Sequence, residues 1–403
     1  MATQNYRNRR QGVRYYFPLH NKVMHMSFLR KLALPLVLVL PVGASAADTP
    51  YTPAQCVADL DDLNAFIEAN DAGAADALAD HGPAIRQAFD KARQDAAVAE
   101  DMKTCGRLMH AYARTWRPGH ISVSPTPGNE TREEAKAVQQ VAQVARLDPQ
   151  PAADPDAPRL RVLGRNTILF VIPTFNDRYA PEMKKLVADN RAALASHKNW
   201  IVDVRGNGGG SDSTYEPLMG WLLDGDLRGY RTEYFVTPAN IKAQEEICAK
   251  TSDPDGCNRQ MEPIVAKMRT AAPGSFVLAG TNRIEYEKVK LEAKRPARVA
   301  VLADHGCGSS CEQFVLEART SYRVKVLGRP TYGSLDVSNL RPHVLPSGRA
   351  QLNYATTRTT RLPDMRIDTI GVAPDILLPK PADEAGRDAE LRNVQRWIEG
   401  GTL

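Results

Sequence analysis

Twice in this 403-residue chain an apolar strand runs through a glycine turn straight into a helix-forming segment. The first instance is Trp200-Ile-Val-Asp-Val-Arg-Gly-Asn-Gly-Gly-Gly210. The second is Val301-Leu-Ala-Asp-His-Gly-Cys-Gly-Ser-Ser-Cys-Glu-Gln-Phe314. Joints of this kind build βαβ units, so they restrict the chain to an α/β core with a largely parallel sheet. The second joint also places Ser309 where its hydroxyl projects while the next backbone N–H groups stay free for an oxyanion. Acyl transfer is the chemistry such a turn serves.

The rest of the chain agrees with that core. Apolar β-runs at Ile168–Ile172, Trp200–Val204, Val299–Ala303, Val324–Leu327 and Gln351–Thr356 alternate with helical segments at Pro181–Ala195, Ser211–Leu223 and Glu312–Thr320. Upstream, Leu60, Leu63, Phe66 and Ile67 recur at helical spacing within a segment, 52–117, that has few β-branched runs. Thr131 and Glu134 form a capping-box pattern opening a helix through Leu147, and Asp148–Pro158 is Pro-rich linker. Residues 240–270 read as a helical insertion over the sheet. The expected divisions are a signal segment (1–46), a helical N-terminal domain (47–125), a helix and linker (126–159), a catalytic core (160–382) and a C-terminal helix (383–403).

The formal charge of +5 is misleading, because residues 1–46 carry seven Lys or Arg and no acid. The remainder holds 45 basic and 47 acidic residues, a net of −2, and nothing in it calls for nucleic acid. Met26-Ser-Phe-Leu-Arg-Lys supplies a positive start, Leu32–Val42 a short apolar stretch and Ala44-Ser45-Ala46 a small-residue cleavage site. This is the pattern of a secretory signal, with translation expected to start at Met26 or Met24 and no stable membrane anchor after cleavage. A periplasmic or secreted location follows, and it suits the six cysteines. Local pairing gives Cys56–Cys105, Cys248–Cys257 and Cys307–Cys311 as the simplest set, the last bracketing Ser309. No CxxC pair or HExxH helix points to a metal, and no cofactor is expected.

Five blocks, in order, resemble peptidase family S41, the C-terminal-processing and tricorn-core type. They are Gly119-His120-Ile121-Ser122, Ile168–Phe175, Val202–Gly210, Val301–Gly333 and Gly371-Val-Ala-Pro-Asp375. The resemblance covers roughly residues 110–380 and implies a ClpP/crotonase-like spiral core fronted by a helical domain. It also implies that Ser309 is the nucleophile, with Glu312 matching the family's glutamate three residues on. The Ser-Lys branch places a lysine directly after Pro-Thr-Phe-Gly, but here that position is Ser334. The tricorn-like branch uses a histidine before the core, which His120 fits, and an acid near the closing motif, where this chain has Asp368.

A histidine of ordinary pKa can take the serine proton and return it to a leaving amine, and an acid on its other nitrogen would fix the tautomer. His305 and Lys325 are rival bases, one expected to face away and the other to lie on a buried strand. Ser122 or Ser334 stands as a fourth member of the site. The resemblance puts an oxyanion N–H at Gly209, with Gly208 or Gly210 adjacent, and a second at Ser310. The glycine run lacks the spacing of a dinucleotide fingerprint and is followed by no Gly-Lys-Ser/Thr. Between His120 and Ile168 there is too little chain for a PDZ domain. The expected activity is hydrolysis of peptides or unfolded proteins by a serine peptidase, with oligomers compatible. Two other classes share the core: a non-catalytic ligand- or peptide-binding relative, and a crotonase-like acyl-CoA enzyme, which a secretory signal argues against.

Overall fold

The computed structural model describes residues 50–127, 154–251 and 254–402. The expected signal segment, the helix opening at Thr131 and the first part of the linker lie outside them. Three helices come first: α1 (Pro53–Asn70), α2 (Ala74–Ala96) and α3 (Met102–Trp116). Thr52 and Gln55 start α1 with a reciprocal capping box, and Asp101 caps α3 through the N–H of Thr104. A disulfide from Cys56 to Cys105 ties α1 to α3. Among the described residues no helix is long and apolar enough to cross a membrane.

The central sheet has six strands, β2 (Arg159–Val162), β3 (Thr167–Val171), β4 (Asn199–Asp203), β9 (Arg298–Ala303), β10 (Val324–Gly328) and β13 (Ile376–Leu377). Their order is β13-β10-β9-β4-β3-β2, parallel throughout except for β2. Its inner strands are continuous apolar runs because both faces are covered. On one face Phe170, Trp200 and Val301 pack under α4 (Ala180–Asp189), α5 (Arg191–Ser196), α6 (Asp212–Leu222) and α9 (Ser310–Ala318). On the other, Leu169, Ile201 and Leu302 meet Val394 and Ile398 of α10 (Glu384–Ile398). Because β4, β9 and β10 run the same way, the turns 204–210, 304–309 and 329–334 emerge together at their carboxyl ends. This edge is where open α/β sheets place their chemistry.

A second sheet, antiparallel, takes the run at Gln351–Thr356 out of the parallel core in which the strand pattern placed it. Its centre is β12 (Ala350–Thr359), flanked along one side by β11 (Val337–Val344) and on the other by β1 (Ser122–Pro125) and β6 (Thr232–Phe235), with β7 (Phe276–Leu278) beyond. A separate ribbon pairs β5 (Leu227–Tyr230) with β8 (Ile284–Glu287). β11 reads Val-Ser-Asn-Leu-Arg-Pro-His-Val, an edge strand with polar residues and a proline, so no apolar run marks it.

One expected division and the packing of the insertion change here. Leu60, Leu63 and Ile67 of α1 and Met109, Tyr112 and Trp116 of α3 share one buried cluster with Leu345, Leu352 and Tyr354. The N-terminal helices therefore have no core of their own. They are a layer laid on the antiparallel sheet, and β1 continues from them into it. The insertion, α7 (Pro238–Ile247) and α8 (Pro254–Thr270) joined by the Cys248–Cys257 disulfide, packs on Tyr234 and Val277 of the antiparallel sheet rather than over the parallel one.

Candidate active site

Two turns meet at the carboxyl edge of the parallel sheet, and buried polar groups fix both. Asp304 accepts the N–H groups of Gly206 at 2.8 Å and Gly306 at 2.9 Å, stapling one turn to the other. Asn207, fully buried, donates to the carbonyl of Ile172 at 3.0 Å, while its own carbonyl accepts the Gly308 N–H at 3.1 Å. Ser309 then sits at φ 56°, ψ −124°, a conformation that L-residues avoid and that must be held by its surroundings.

Glu312 does much of that holding. Its carboxylate is fully buried and accepts the Ser309 N–H at 3.1 Å, the Thr331 hydroxyl at 2.5 Å, the Gly333 N–H at 2.7 Å and the Ser334 N–H at 2.9 Å. Four donors are what let a carboxylate stay buried without a cation in contact. The Cys307–Cys311 disulfide closes the same turn from beneath, with both cysteines fully buried. Ser334, in the position of the missing lysine, belongs to this network, its hydroxyl 3.5 Å from Glu312.

His120 arrives from the other sheet. It follows the end of α3 by four residues, at φ 50°, two residues before β1 begins. Its Nε2 lies 2.9 Å from Ser309 Oγ, and its Nδ1 lies 2.5 Å from the backbone carbonyl of Val337. A carbonyl can only accept, so the proton belongs on Nδ1 and the Nε2 lone pair faces the serine hydroxyl. Burial pushes the imidazole pKa down to about 4, and Arg117 adds to the shift, against the Val337 bond and Asp71. The Arg117 guanidinium spans the gap between layers. It pairs with Asp71 at 2.5 and 2.7 Å and donates to the His120 carbonyl at 2.7 Å. Asp71 in turn accepts the Ala355 N–H of β12 at 2.9 Å.

The structure places Asp368 elsewhere than the expected seat on His120. Its carboxylate accepts the Asp336 N–H at 2.7 Å, and the Asp336 carboxylate accepts the N–H groups of Ile367 and Asp368, both at 2.8 Å. This reciprocal clasp sits one residue from Val337, whose carbonyl already satisfies Nδ1. Burial, and then the charge of Asp336, push the Asp368 carboxyl up to about 7.

The oxyanion expectation shifts by one residue as well. The Gly209 N–H is committed to Asn207 Oδ1 at 2.9 Å. Gly208, Gly210 and Ser310 have N–H groups with no hydrogen-bond partner among the described residues. Gly209 (φ 97°) keeps its place for a different reason. A Cβ there would lie 2.6 Å from the Gly308 carbonyl and 2.8 Å from Ser309 Cβ, which glycine alone avoids.

Ser122 stands apart from the pair, accepting from Asn353 on β12 at 3.3 Å. His305 is exposed and packs its ring against Tyr332, and Lys325 is exposed on β10 rather than buried. Among the described residues no group of three or more His, Cys, Asp or Glu is arranged to hold a metal ion. All three disulfides pair as local proximity suggested. The residues that the sequence reading missed are Val337, Asp71, Arg117 and Asn207. Asn207 and Arg117 stood inside the quoted segments or beside them. Val337 acts through its backbone, which leaves no trace in residue type.

The model of peptidase family S41 matches residues 167–378, which include Ser309, both turns and the closing segment. The chain belongs to peptidase family S41. His120 lies upstream of the matched span. Among solved structures this S41 member is similar to mature CPAF, at 13% identity and a TM-score of 0.59, covering 87% of this chain and 99% of that one. A CPAF mutant gives 11% identity and a TM-score of 0.60 over the same shares. The photosystem II D1 C-terminal processing protease gives 12% identity and 0.39 over 83% and 96%. No curated protein matches the chain. At these identities the CPAF likeness is one of fold.

The Asp71–Arg117 strut makes a direct prediction. Arg117→Ala leaves a buried carboxylate unpaired and should lower unfolding free energy by about 3–5 kcal/mol in urea titration. A loss under about 1 kcal/mol, the range of an exposed pair, would mean that the strut does not hold the layers together.

Proposed function

We propose that this chain is a secreted or periplasmic serine peptidase that hydrolyses peptide bonds through an acyl-enzyme on Ser309, with His120 as general base. The observation that carries the reading is the 2.9 Å approach of His120 Nε2 to Ser309 Oγ, with the opposite ring nitrogen bonded to a carbonyl. Ser309 Oγ attacks the substrate carbonyl as its proton passes to Nε2. The developing oxyanion is received by the free N–H of Ser310 together with that of Gly208 or Gly210. The imidazolium then returns the proton to the leaving amine, and water repeats the cycle to release the acid. Glu312 acts as a positioning residue, fixing the strained turn on which Ser309 stands.

Peptides or unfolded proteins are the substrates that membership of this family suggests. The location rests on three disulfides, which persist in oxidising compartments, and on the signal pattern of residues 26–46.

A fluorophosphonate probe followed by intact mass should give a single adduct, absent in Ser309→Ala and formed at least about 100-fold more slowly in His120→Ala. The pH profile carries a sign. His120 works as a base only when neutral, and its pKa lies at about 4, below the ordinary 6.5. Labelling should therefore persist as pH falls through 6.5 and be lost only near 4. No adduct at any pH would leave a ligand-binding relative of the fold as the reading. Asp368→Asn should keep labelling within about tenfold of the parent. A fall on the order of 10⁴, as when a triad acid is replaced, would restore Asp368 as the group that orients the histidine.

A further inference from the structure

One short segment, 331–337, is tied to both members of the Ser309–His120 pair. At its start the Thr331 hydroxyl and the N–H groups of Gly333 and Ser334 donate to the Glu312 carboxylate, which also accepts the Ser309 N–H. At its end the Val337 carbonyl meets His120 Nδ1 at 2.5 Å. The approach of imidazole to hydroxyl therefore depends on how the two ends of this segment are held.

The sheet alone holds the second end weakly. Val337 opens β11, and only Val337 and Ser338 pair with β12 before the register breaks at Asn339, which stands at φ 56°. A strand end with so few pairs opens at little cost. The stronger anchor is Asp336, which is buried. Its carboxylate accepts the N–H groups of Ile367 and Asp368, both at 2.8 Å, and the Arg361 guanidinium at 3.3 Å. Its own N–H goes to the Asp368 carboxylate at 2.7 Å, and its carbonyl accepts the Thr359 N–H of β12 at 2.9 Å. Every polar group of Asp336 is engaged, one residue from the carbonyl that His120 uses.

The loop it grips is seated on the start of the same segment. Thr369 donates its N–H to the Gly333 carbonyl at 3.1 Å, and Val372 donates to the Thr331 hydroxyl at 2.7 Å. A Cβ on Gly333 would lie 2.7 Å from the Ile367 carbonyl, so the two stretches touch backbone to backbone. Asp336 thus pins the end of the segment to the support that carries its beginning. As an ion pair it is poor, because buried Arg361 leaves Nε and Nη1 without hydrogen-bond partners among the described residues.

We propose that Asp336 is a positioning residue for the general base, holding the Val337 carbonyl on His120 Nδ1 through both halves of its clasp with the loop at 367–368. The proposal rests on the serine-peptidase reading, which gives His120 its task. Asp336 touches neither the imidazole nor the substrate, so its effect passes through the tautomer. With the carbonyl displaced, the ring proton can move to Nε2, and no lone pair then faces Ser309.

Ring-nitrogen NMR of His120 and fluorophosphonate labelling, read on the same protein, test this. Asp336→Ala should turn a ring protonated on Nδ1 into a mixture of tautomers and slow labelling by about 10- to 100-fold, the range of a displacement near 1 Å. Asp224→Ala serves as the control for lost stability. Asp224 accepts the Ser321 hydroxyl and the Tyr322 N–H, both at 3.0 Å, before the amino end of β10, and its loss should leave ring and labelling as in the parent. A folded Asp336→Ala whose ring keeps its proton on Nδ1 overturns the proposal, and so does an equal tautomer shift in Asp224→Ala. If Asp336→Ala does not fold, Asp368 decides, because Asp368→Ala removes the acceptor of the Asp336 N–H while Asp368→Asn keeps one. The alanine variant should mix the tautomers and the asparagine variant should not; the same result in both overturns the proposal. A parent chain that takes no label removes the peptidase reading and the proposal with it. A labelled parent with an unmoved ring in Asp336→Ala removes the proposal alone.

Discussion

The bond from the Val337 carbonyl to His120 Nδ1 turns the imidazole so that its other nitrogen crosses from one sheet to the other and reaches Ser309. Ser309 belongs to the parallel sheet, standing at the carboxyl end of β9. His120 and Val337 belong to the antiparallel one, as the approach to β1 and the first residue of β11. Nδ1 reaches the carbonyl at 2.5 Å and Nε2 reaches the serine at 2.9 Å, so the imidazole is clamped between layers. The helical layer exists in service of that clamp. Asp71 follows the last residue of α1 and Arg117 the last of α3, and their buried pair fixes the His120 carbonyl and the backbone of β12 together.

A neutral carbonyl in place of a carboxylate changes the electrostatics of the imidazole. A triad acid stabilises the imidazolium and holds the histidine pKa up, whereas a carbonyl contributes a dipole only. Burial is then free to push the imidazole down to about 4. Two other acids near the turns are spent otherwise. Glu312 is saturated by donors that shape the Ser309 turn, and Asp368 is locked with Asp336 in a loop clasp. The site thus separates two tasks: carboxylates hold the backbone in strained conformations, and a peptide group sets the tautomer.

Much of this was legible in the residues. The parallel strands are apolar runs buried on both faces, so Ile168, Trp200 and Val301 announced them. Ser309 and His120 stood in glycine-flanked turns whose order along the chain carried the resemblance. β11 was not legible, because an edge strand with polar alternation and Pro342 has the texture of a loop. With β11 hidden, Val337 was hidden too, and the tautomer-setting role fell by analogy to Asp368, whose sequence position is right while its carboxylate faces Asp336. Gly209 misled for a related reason. The turn was read correctly, but which N–H stays free depends on the side chain of Asn207 folding back upon it.

Ring-nitrogen NMR of His120 in histidine-labelled protein tests the central claim most directly, with the resonance assigned by its loss in His120→Gln. The account predicts a neutral ring carrying its proton on Nδ1, with Nε2 unprotonated, throughout the range from about pH 5.5 to 8. A ring protonated on Nε2, or an imidazolium titrating near the ordinary 6.5, would contradict it. Either result would mean that the Val337 carbonyl does not hold the His120 lone pair toward Ser309.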